Sequence, residues 1–280
     1  MYRFEQYIDE NFIGAGGLGE VWLTRDILTK QAYAKKYIRI LTQANLTRFD
    51  REVRLMYKYA GKPNIVQIIS SDLTAPKPYF VMEYCEGRSL ADKIGTFDHK
   101  QATNILSCMV RALKPIHQDG GIHRDIKPSN ILVKWDGREW VSKLSDFGVA
   151  QTPTPGTQMT QTPIGTREYF SPEVKAGFNA TQAADIYSLG LTVRELITGS
   201  REISLAALGV PFRLANLLGC MMDTNPHCRP NIFEVETTVK DIIKSRDTFV
   251  GSLISSVSPV DLGIGVAAAV VLVNLFGKKD

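Results

Sequence analysis

The chain has 280 residues, 44% of them hydrophobic and 22% charged, and its 33 basic and 29 acidic residues leave a formal charge of +4. These values exclude a wholly disordered chain, a collagen-like repeat and a protein of many membrane spans. The charge is too small to argue for a nucleic-acid partner, and the length gives one large domain or two lobes sharing an interface. The average conceals an uneven tail, because beyond Asp247 only Asp261, Lys278, Lys279 and Asp280 are charged. Cys85, Cys108, Cys220 and Cys228 form neither a CxxC pair nor a zinc spacing, so free thiols in a reducing compartment are expected. Residues 1–14 carry four charges and no apolar core, so no secretory signal is expected there.

In chain order, the first eighty residues read as a small strand-rich unit. Phe12 to Gly19 is a glycine turn leading into Glu20 to Leu23, followed by a strand over Ala32 to Ile38. Phe49, Val53, Met56 and Tyr57 are spaced for one apolar face of a helix. After Pro63-Asn64, Ile65 to Ile69 and Tyr79 to Glu83 read as two further strands. From about Ser89 the chain is expected to be mostly helical, with helices over Ala102 to His117, Gln182 to Thr198 and Phe212 to Met222. Thr152 to Thr157 alternates Thr, Pro and Gly and reads as a loop.

Gly14, Gly16 and Gly19 make a GxGxxG pattern, in which bare backbone amides can approach phosphates. A dinucleotide-binding fold needs a helix directly after the last glycine. Here Val21-Trp22-Leu23-Thr24 continues as a strand, so the turn reads as a hairpin lid over phosphates, with an ordinary hairpin as the alternative. On the next strand Ala34 and Lys36 share a face and Lys35 points away. Lys36 can neutralise phosphate charge if an acid holds it, and Glu52 on the following helix is the candidate; the alternative is a surface ion pair of little worth.

His123-Arg124-Asp125-Ile126-Lys127-Pro128-Ser129-Asn130 packs an acid, two bases and an amide into one short loop, and Asp146-Phe147-Gly148 follows. Gly165-Thr166, Ser171-Pro172-Glu173 and Asp185 come next in order. With the glycine turn and Lys36, this set resembles the eukaryotic-type Ser/Thr protein kinases over residues 7–247, and Met159 to Thr166 with Ser-Pro-Glu resembles the bacterial branch. The resemblance implies an α+β, two-lobed protein-kinase fold, with an antiparallel-sheet N-lobe (1–83), a hinge (83–87) and a mainly helical C-lobe (88–247). It implies ATP-dependent phosphorylation of protein Ser/Thr hydroxyls, a transferase activity in signalling, with Mg²⁺ as cofactor and Mn²⁺ as a substitute.

Carried over residue by residue, Asp125 accepts the substrate hydroxyl's proton and Lys127 sits by the transferring phosphate. Lys36 grips the α- and β-phosphates with Glu52 as its partner, and Asn130 and Asp146 are the metal ligands. Ile13, Gly14, Gly16, Gly19, Val21, Ala34, Met82, Glu83, Cys85 and Leu132 surround the nucleotide, with Met82 as gatekeeper and the backbone of Glu83 and Cys85 at the adenine edge. Ordinary core is the alternative for Ile13, Val21 and Leu132. Thr166 positions substrate, and Thr160 or Thr162 is the expected autophosphorylation site, opposite Arg124. Glu173 with Arg229, His117, His123 and Asp185 resemble scaffold residues of the family. Ser171 stands where the family has alanine. Only 44 residues separate Asp185 from Arg229, which shortens the region that usually docks substrate.

A pseudokinase-like scaffold assembling through its tail is the alternative reading; it predicts missing catalytic groups, yet all are present. An aminoglycoside-type phosphotransferase is disfavoured by Lys127-Pro128 and Ser-Pro-Glu. Residues 248–280 form a separate hydrophobic tail, uncharged from Leu262 to Gly277. As a helix those sixteen residues span roughly 24 Å, short of the ~30 Å hydrocarbon core. The expectation is a cytoplasmic kinase whose residues 249–277 associate with a membrane, with packing on protein, an oligomer interface or disorder as the other readings.

Overall fold

The computed structural model describes residues 6–17, 19–151, 165–203, 205 and 208–256, with side chains to residue 245. The chain divides into two units, residues 1–239 and 240–280, and everything that bears on the site lies in the first.

Five strands build the N-terminal sheet: β1 (Tyr7–Ala15), β2 (Gly19–Asp26), β3 (Ala32–Ile38), β4 (Ile68–Asp72) and β5 (Tyr79–Glu83). They are antiparallel in the order β1-β2-β3-β5-β4. Between β3 and β4 runs α1 (Gln43–Lys58), whose first turn is capped by the Thr42 side chain accepting from Asn45 N–H. Phe49, Glu52, Val53, Leu55 and Met56 form its buried face, and the Phe49 ring lies 5.2 Å from that of Phe80 on β5. Tyr57, expected on that face, is instead 48% exposed. It follows Met56 by about 100° of helix rotation, which carries it off the stripe that Phe49, Val53 and Met56 define.

Ile65 and Val66, expected to open β4, are fully buried but do not pair within this sheet. They are stitched to the C-lobe instead: Val66 N–H donates to Leu144 O at 3.0 Å and Leu144 N–H to Asn64 O at 2.7 Å. The Asn64 side chain adds a bond to Ser142 O at 2.9 Å. The segment after α1 is thereby fixed to the strand that leads into Asp146.

The C-lobe is mainly helical, with α2 (His99–Gln118), α3 (Pro172–Lys175), α4 (Gln182–Thr198), α5 (Phe212–Met221) and α6 (Ile232–Ser256). One antiparallel hairpin interrupts it, β6 (Ile131–Trp135) with β7 (Trp140–Leu144). α2 starts three residues before the expected Ala102 because Asp98 and Gln101 form a reciprocal capping box, a device worth about 1 kcal/mol. Leu106, Met109 and Leu113 of α2 and Leu189, Val193 and Leu196 of α4 are all under 1% exposed. Each such side chain contributes roughly 1.5–3 kcal/mol on leaving water. From this core Asp185 of α4 reaches the loop that follows α2, where it accepts His123 N–H at 2.8 Å.

The membrane expectation is corrected. Among the described residues no helix is long and apolar enough to cross a membrane. α6 carries Glu234, Glu236, Lys240, Asp241, Lys244, Arg246 and Asp247, so charge runs through its first four turns. Membrane association through residues 249–277 is therefore withdrawn both as a partner and as part of the localisation, and residues 257–280 lie outside the described residues.

Candidate active site

The N-lobe face of the site follows from strand alternation. Lys36 lies opposite Val21 on β2 and Phe80 on β5, and Ala34 opposite Leu23 and Met82. Lys36 Nζ reaches Glu52 Oε1 of α1 at 2.6 Å and Asp146 Oδ1 at 3.6 Å. Burial works against its charge, but the two carboxylates outweigh that and hold the ammonium above the ordinary lysine value. Glu52 Oε2 has no hydrogen-bond partner among the described residues.

Lys35 does point the other way, as alternation requires, yet it is buried. Its Nζ sits 4.3 Å from the Tyr79 ring centroid and 3.7 Å from Asp9 Oδ1, so aromatic cover and an acid replace solvent on the outer face.

The glycine turn crosses above Lys36. Gly16 N–H donates to Gly19 O at 2.8 Å, closing the turn. A Cβ on Gly19 would lie 2.7 Å from Tyr37 O and 3.0 Å from two Lys36 side-chain carbons, so only glycine lets the lysine pass beneath. Gly14 and Gly16 meet no such neighbour. Ala34 and Cys85 are buried, Val21, Met82 and Leu132 half-buried, and Ile13 47% exposed at the rim. Burial, with the negative Glu83 nearby, pushes the Cys85 thiol up to about 12, which excludes a thiolate nucleophile at neutral pH.

The C-lobe face is the loop between α2 and β6. Asp125, 9% exposed, accepts Thr166 N–H on Oδ1 at 2.8 Å. Its Oδ2 accepts Asn130 Nδ2 at 2.9 Å and pairs with Lys127 Nζ at 2.8 Å. Lys127 Nζ also donates to Thr166 Oγ at 2.5 Å, closing a ring of Asp125, Lys127 and Thr166. Gly165 allows that close approach: its φ is +131°, and a Cβ there would lie 2.6 Å from Arg124 O.

Asp185, wholly buried at the start of α4, holds the loop from below. It accepts the backbone N–H groups of His123 and Arg124, each at 2.8 Å, and pairs with His117 Nε2 at 2.9 Å. Burial would raise its carboxyl, but these donors keep it below the ordinary carboxylate value. His123 is fully buried, and desolvation lowers its pKa so that it stays neutral. Its ring meets Phe147 edge-on at 5.2 Å, and the Tyr59 ring stacks against Phe147 at 6.1 Å. Further down, Arg229 grips Glu173 with two bonds of 2.7 Å and donates to Ala183 O and Asp223 O.

For a metal, the groups that could serve are the Asp146 carboxylate and the Asn130 amide. Asn130 turns its nitrogen to the backbone and side chain of Asp125, which leaves Oδ1 as the atom that could take a metal. Among the described residues no group of three or more His, Cys, Asp or Glu could hold a metal. Two hard oxygens fit Mg²⁺, which keeps waters and phosphate oxygens as its remaining ligands; they do not fit a dedicated zinc site.

The structure thus brings together Lys36, Glu52 and Asp146 on one side and Asp125, Lys127, Asn130 and Thr166 on the other. Thr160 and Thr162 lie outside the described residues. Two features went unread in the sequence: Tyr59 against Phe147, and the Glu83 side chain between Lys134 and Lys143.

The family model for the protein kinase domain matches residues 7–209. The chain belongs to the protein kinase family. Its kinase domain is 39% identical over 195 residues to the serine/threonine-protein kinase PrkC of Bacillus subtilis, covering 67% of this chain and 29% of that protein. It is 35% identical over 211 residues to the serine/threonine-protein kinase PknB of Mycobacterium leprae, covering 70% and 33%. It is 31% identical over 251 residues to sperm motility kinase 2B of the mouse, covering 82% and 50%. The kinase domain is of the Ser/Thr type and close to this bacterial branch, and the family uses ATP with Mg²⁺. The match spans about a third or less of the length of the two bacterial relatives.

Proposed function

We propose that the whole protein is an ATP-dependent serine/threonine protein kinase, with a catalytic domain over residues 1–247 and a separate segment over 248–280. One observation carries the reading: Asp125 is fixed by Thr166, Asn130 and Lys127 beside the Lys36–Glu52–Asp146 cluster. Such a carboxylate is oriented before substrate arrives, which is the main requirement of phosphoryl transfer by positioning.

In this reading Asp125 accepts the proton of the incoming hydroxyl and aims its oxygen in line with the γ-phosphate. Lys127, bridging Asp125 and Thr166, offsets charge on the transferring group. Lys36, anchored by Glu52, grips the α- and β-phosphates under the turn of Gly14, Gly16 and Gly19. Asp146 and Asn130 hold the Mg²⁺, which when bound neutralises phosphate charge. Ile13, Val21, Ala34, Met82 and Leu132 enclose the adenine, and backbone groups of Glu83 and Cys85 meet its edge. Thr166 positions the acceptor residue.

Autophosphorylation at Thr160 or Thr162 belongs to the same reading. What supports it is Arg124, directly before Asp125, whose Nε donates to Val149 O at 2.8 Å where that loop begins. A phosphate would add about two negative charges near this guanidinium. Mass mapping after incubation with ATP and Mg²⁺ tests it; a loop left unmodified while peptides are phosphorylated contradicts it. For the main reading, labelled ATP and a generic protein are incubated with the enzyme and the product hydrolysed to amino acids. Phosphoserine and phosphothreonine are expected; phosphotyrosine alone, or no label, overturns it.

A further inference from the structure

A single carboxylate at the end of β5 gathers groups from three separated parts of the chain. Glu83 Oε1 accepts Lys143 Nζ at 2.5 Å and Gln67 N–H at 2.8 Å, and Oε2 accepts Lys134 Nζ at 2.7 Å. Glu83 N–H in turn donates to Gln67 O at 2.9 Å, so backbone and side chain bracket the same residue. Gln67 carries the connection on: its amide bonds Gly61 N–H at 2.5 Å and Ile65 O at 2.6 Å, in the segment that follows α1.

The lysines come from the C-lobe hairpin, Lys134 on β6 and Lys143 on β7, three residues before Asp146. The Glu83 side chain is 10% exposed, that of Lys143 16% and that of Lys134 29%. Exposed ion pairs are worth little, but one withdrawn from water leaves an uncompensated charge when a partner is removed. Burial alone would raise the Glu83 carboxyl; the two lysines reverse this and keep it ionised.

We propose that the Glu83 side chain is a positioning residue which, by holding β5 against Lys134 and Lys143, fixes the separation between the hinge that receives the purine and the Asp146 end that meets the phosphates. The proposal rests on the nucleotide-binding reading above. Two subsites held at a set distance bind a joined ligand better than either half, because the geometry is already in place. Releasing the clasp costs the joined ligand that advantage and costs each half little.

The test uses the full chain and the variants Glu83→Gln, Lys143→Met and Lys134→Met. Binding of ATP with Mg²⁺, of adenosine, and of tripolyphosphate with Mg²⁺ is measured by calorimetry, with KM and kcat for ATP alongside. For Glu83→Gln, affinity for ATP is expected to fall about tenfold and KM to rise to match, while adenosine and tripolyphosphate change by no more than about twofold and kcat by about threefold. Lys143→Met follows in the same direction, and Lys134→Met, being more exposed, falls about threefold. If Glu83→Gln does not fold, the two lysine variants carry the test with the same pattern. ATP affinity within twofold of the unaltered chain in every folded variant overturns the proposal, as does a loss for adenosine as large as that for ATP. An unaltered chain that binds none of the three ligands overturns the kinase reading itself.

Discussion

Replacing Asp185 by asparagine keeps the size of the side chain and removes one acceptor. In the native protein Oδ1 takes Arg124 N–H while Oδ2 takes His123 N–H and faces His117 Nε2, all within 2.8–2.9 Å. Asparagine has one oxygen and one NH₂, so one backbone donor of the catalytic loop must face another donor in a site with no water access. A lost hydrogen bond to a charged group costs about 1.5–3 kcal/mol, and an unsatisfied buried donor about 1–3 kcal/mol more. The expected destabilisation is about 3–5 kcal/mol, a large share of the ~5–15 kcal/mol that holds a domain together. For a domain of this size that lowers Tm by roughly 10 °C. The freed N–H belongs to the residue next to Asp125 or the one before it, so the loop shifts too. A misplacement near 1 Å costs about a hundredfold in rate. Thermal unfolding by circular dichroism, with kcat measured well below the new Tm, reads both effects. A Tm within about 2 °C of the parent and an unchanged kcat would refute Asp185 as the anchor of the loop.

Other consequences follow from buried contacts. Arg229→Met leaves Glu173 without its two-bond partner, and breaking a buried pair costs about 3–5 kcal/mol; Tm should fall by a similar ~10 °C, and a neutral result contradicts a structural role for the pair. Gly165→Ala puts a Cβ 2.6 Å from Arg124 O at a φ of +131°. Strain of about 1–3 kcal/mol at the contact with Asp125 should lower kcat at least about tenfold, and parental kcat sinks the argument. Two buried groups at the catalytic loop favour unfolding in acid. The pKa of His123 is depressed on folding, so its contribution is complete above its ordinary value of 6.5 and is lost as pH drops through the folded value. The depressed carboxyl of Asp185 acts likewise, from its ordinary 3.8 downward. Between pH 7.5 and 5.0 Asp185 is silent, and Glu52, raised by burial to about 7, acts the other way. His123 is therefore read as a difference: relative to His123→Phe, the parent should lose more Tm on going from pH 7.5 to 5.0, and an equal change in the two would contradict the His123 assignment.

What was legible in the sequence is what sits close together in it. Asp125, Lys127 and Asn130 fall within one loop, and their types and spacing already describe a carboxylate with a basic and an amide neighbour. The Lys36–Glu52 pair was legible because strand alternation and helix periodicity aim both at one space. The Glu83 clasp was not, since its lysines lie 51 and 60 residues away and charged residues at strand ends read as solvated. Lys35 shows the same limit: alternation gives its direction, but only the fold shows that Tyr37 and Tyr79 cover it. Tyr57 was misread because one residue on a helix is 100°, enough to move a side chain from core to water. The early start of α2 was available, since Asp98 and Gln101 carry the capping-box spacing. The apolar tail invited a membrane reading from composition alone, and no described helix supports it.

The central claim is that Asp125 performs the proton-accepting step in phosphoryl transfer to protein hydroxyls. Its most direct test compares the unaltered chain with Asp125→Asn, which keeps the side-chain shape and removes the basic oxygen. Labelled ATP with Mg²⁺ and a generic protein acceptor are used, with ATP binding measured in parallel. The account predicts label transfer by the unaltered chain, a kcat about 10²–10⁴-fold lower in the variant, and ATP affinity within a few-fold of the parent. Equal incorporation by the two proteins would contradict it.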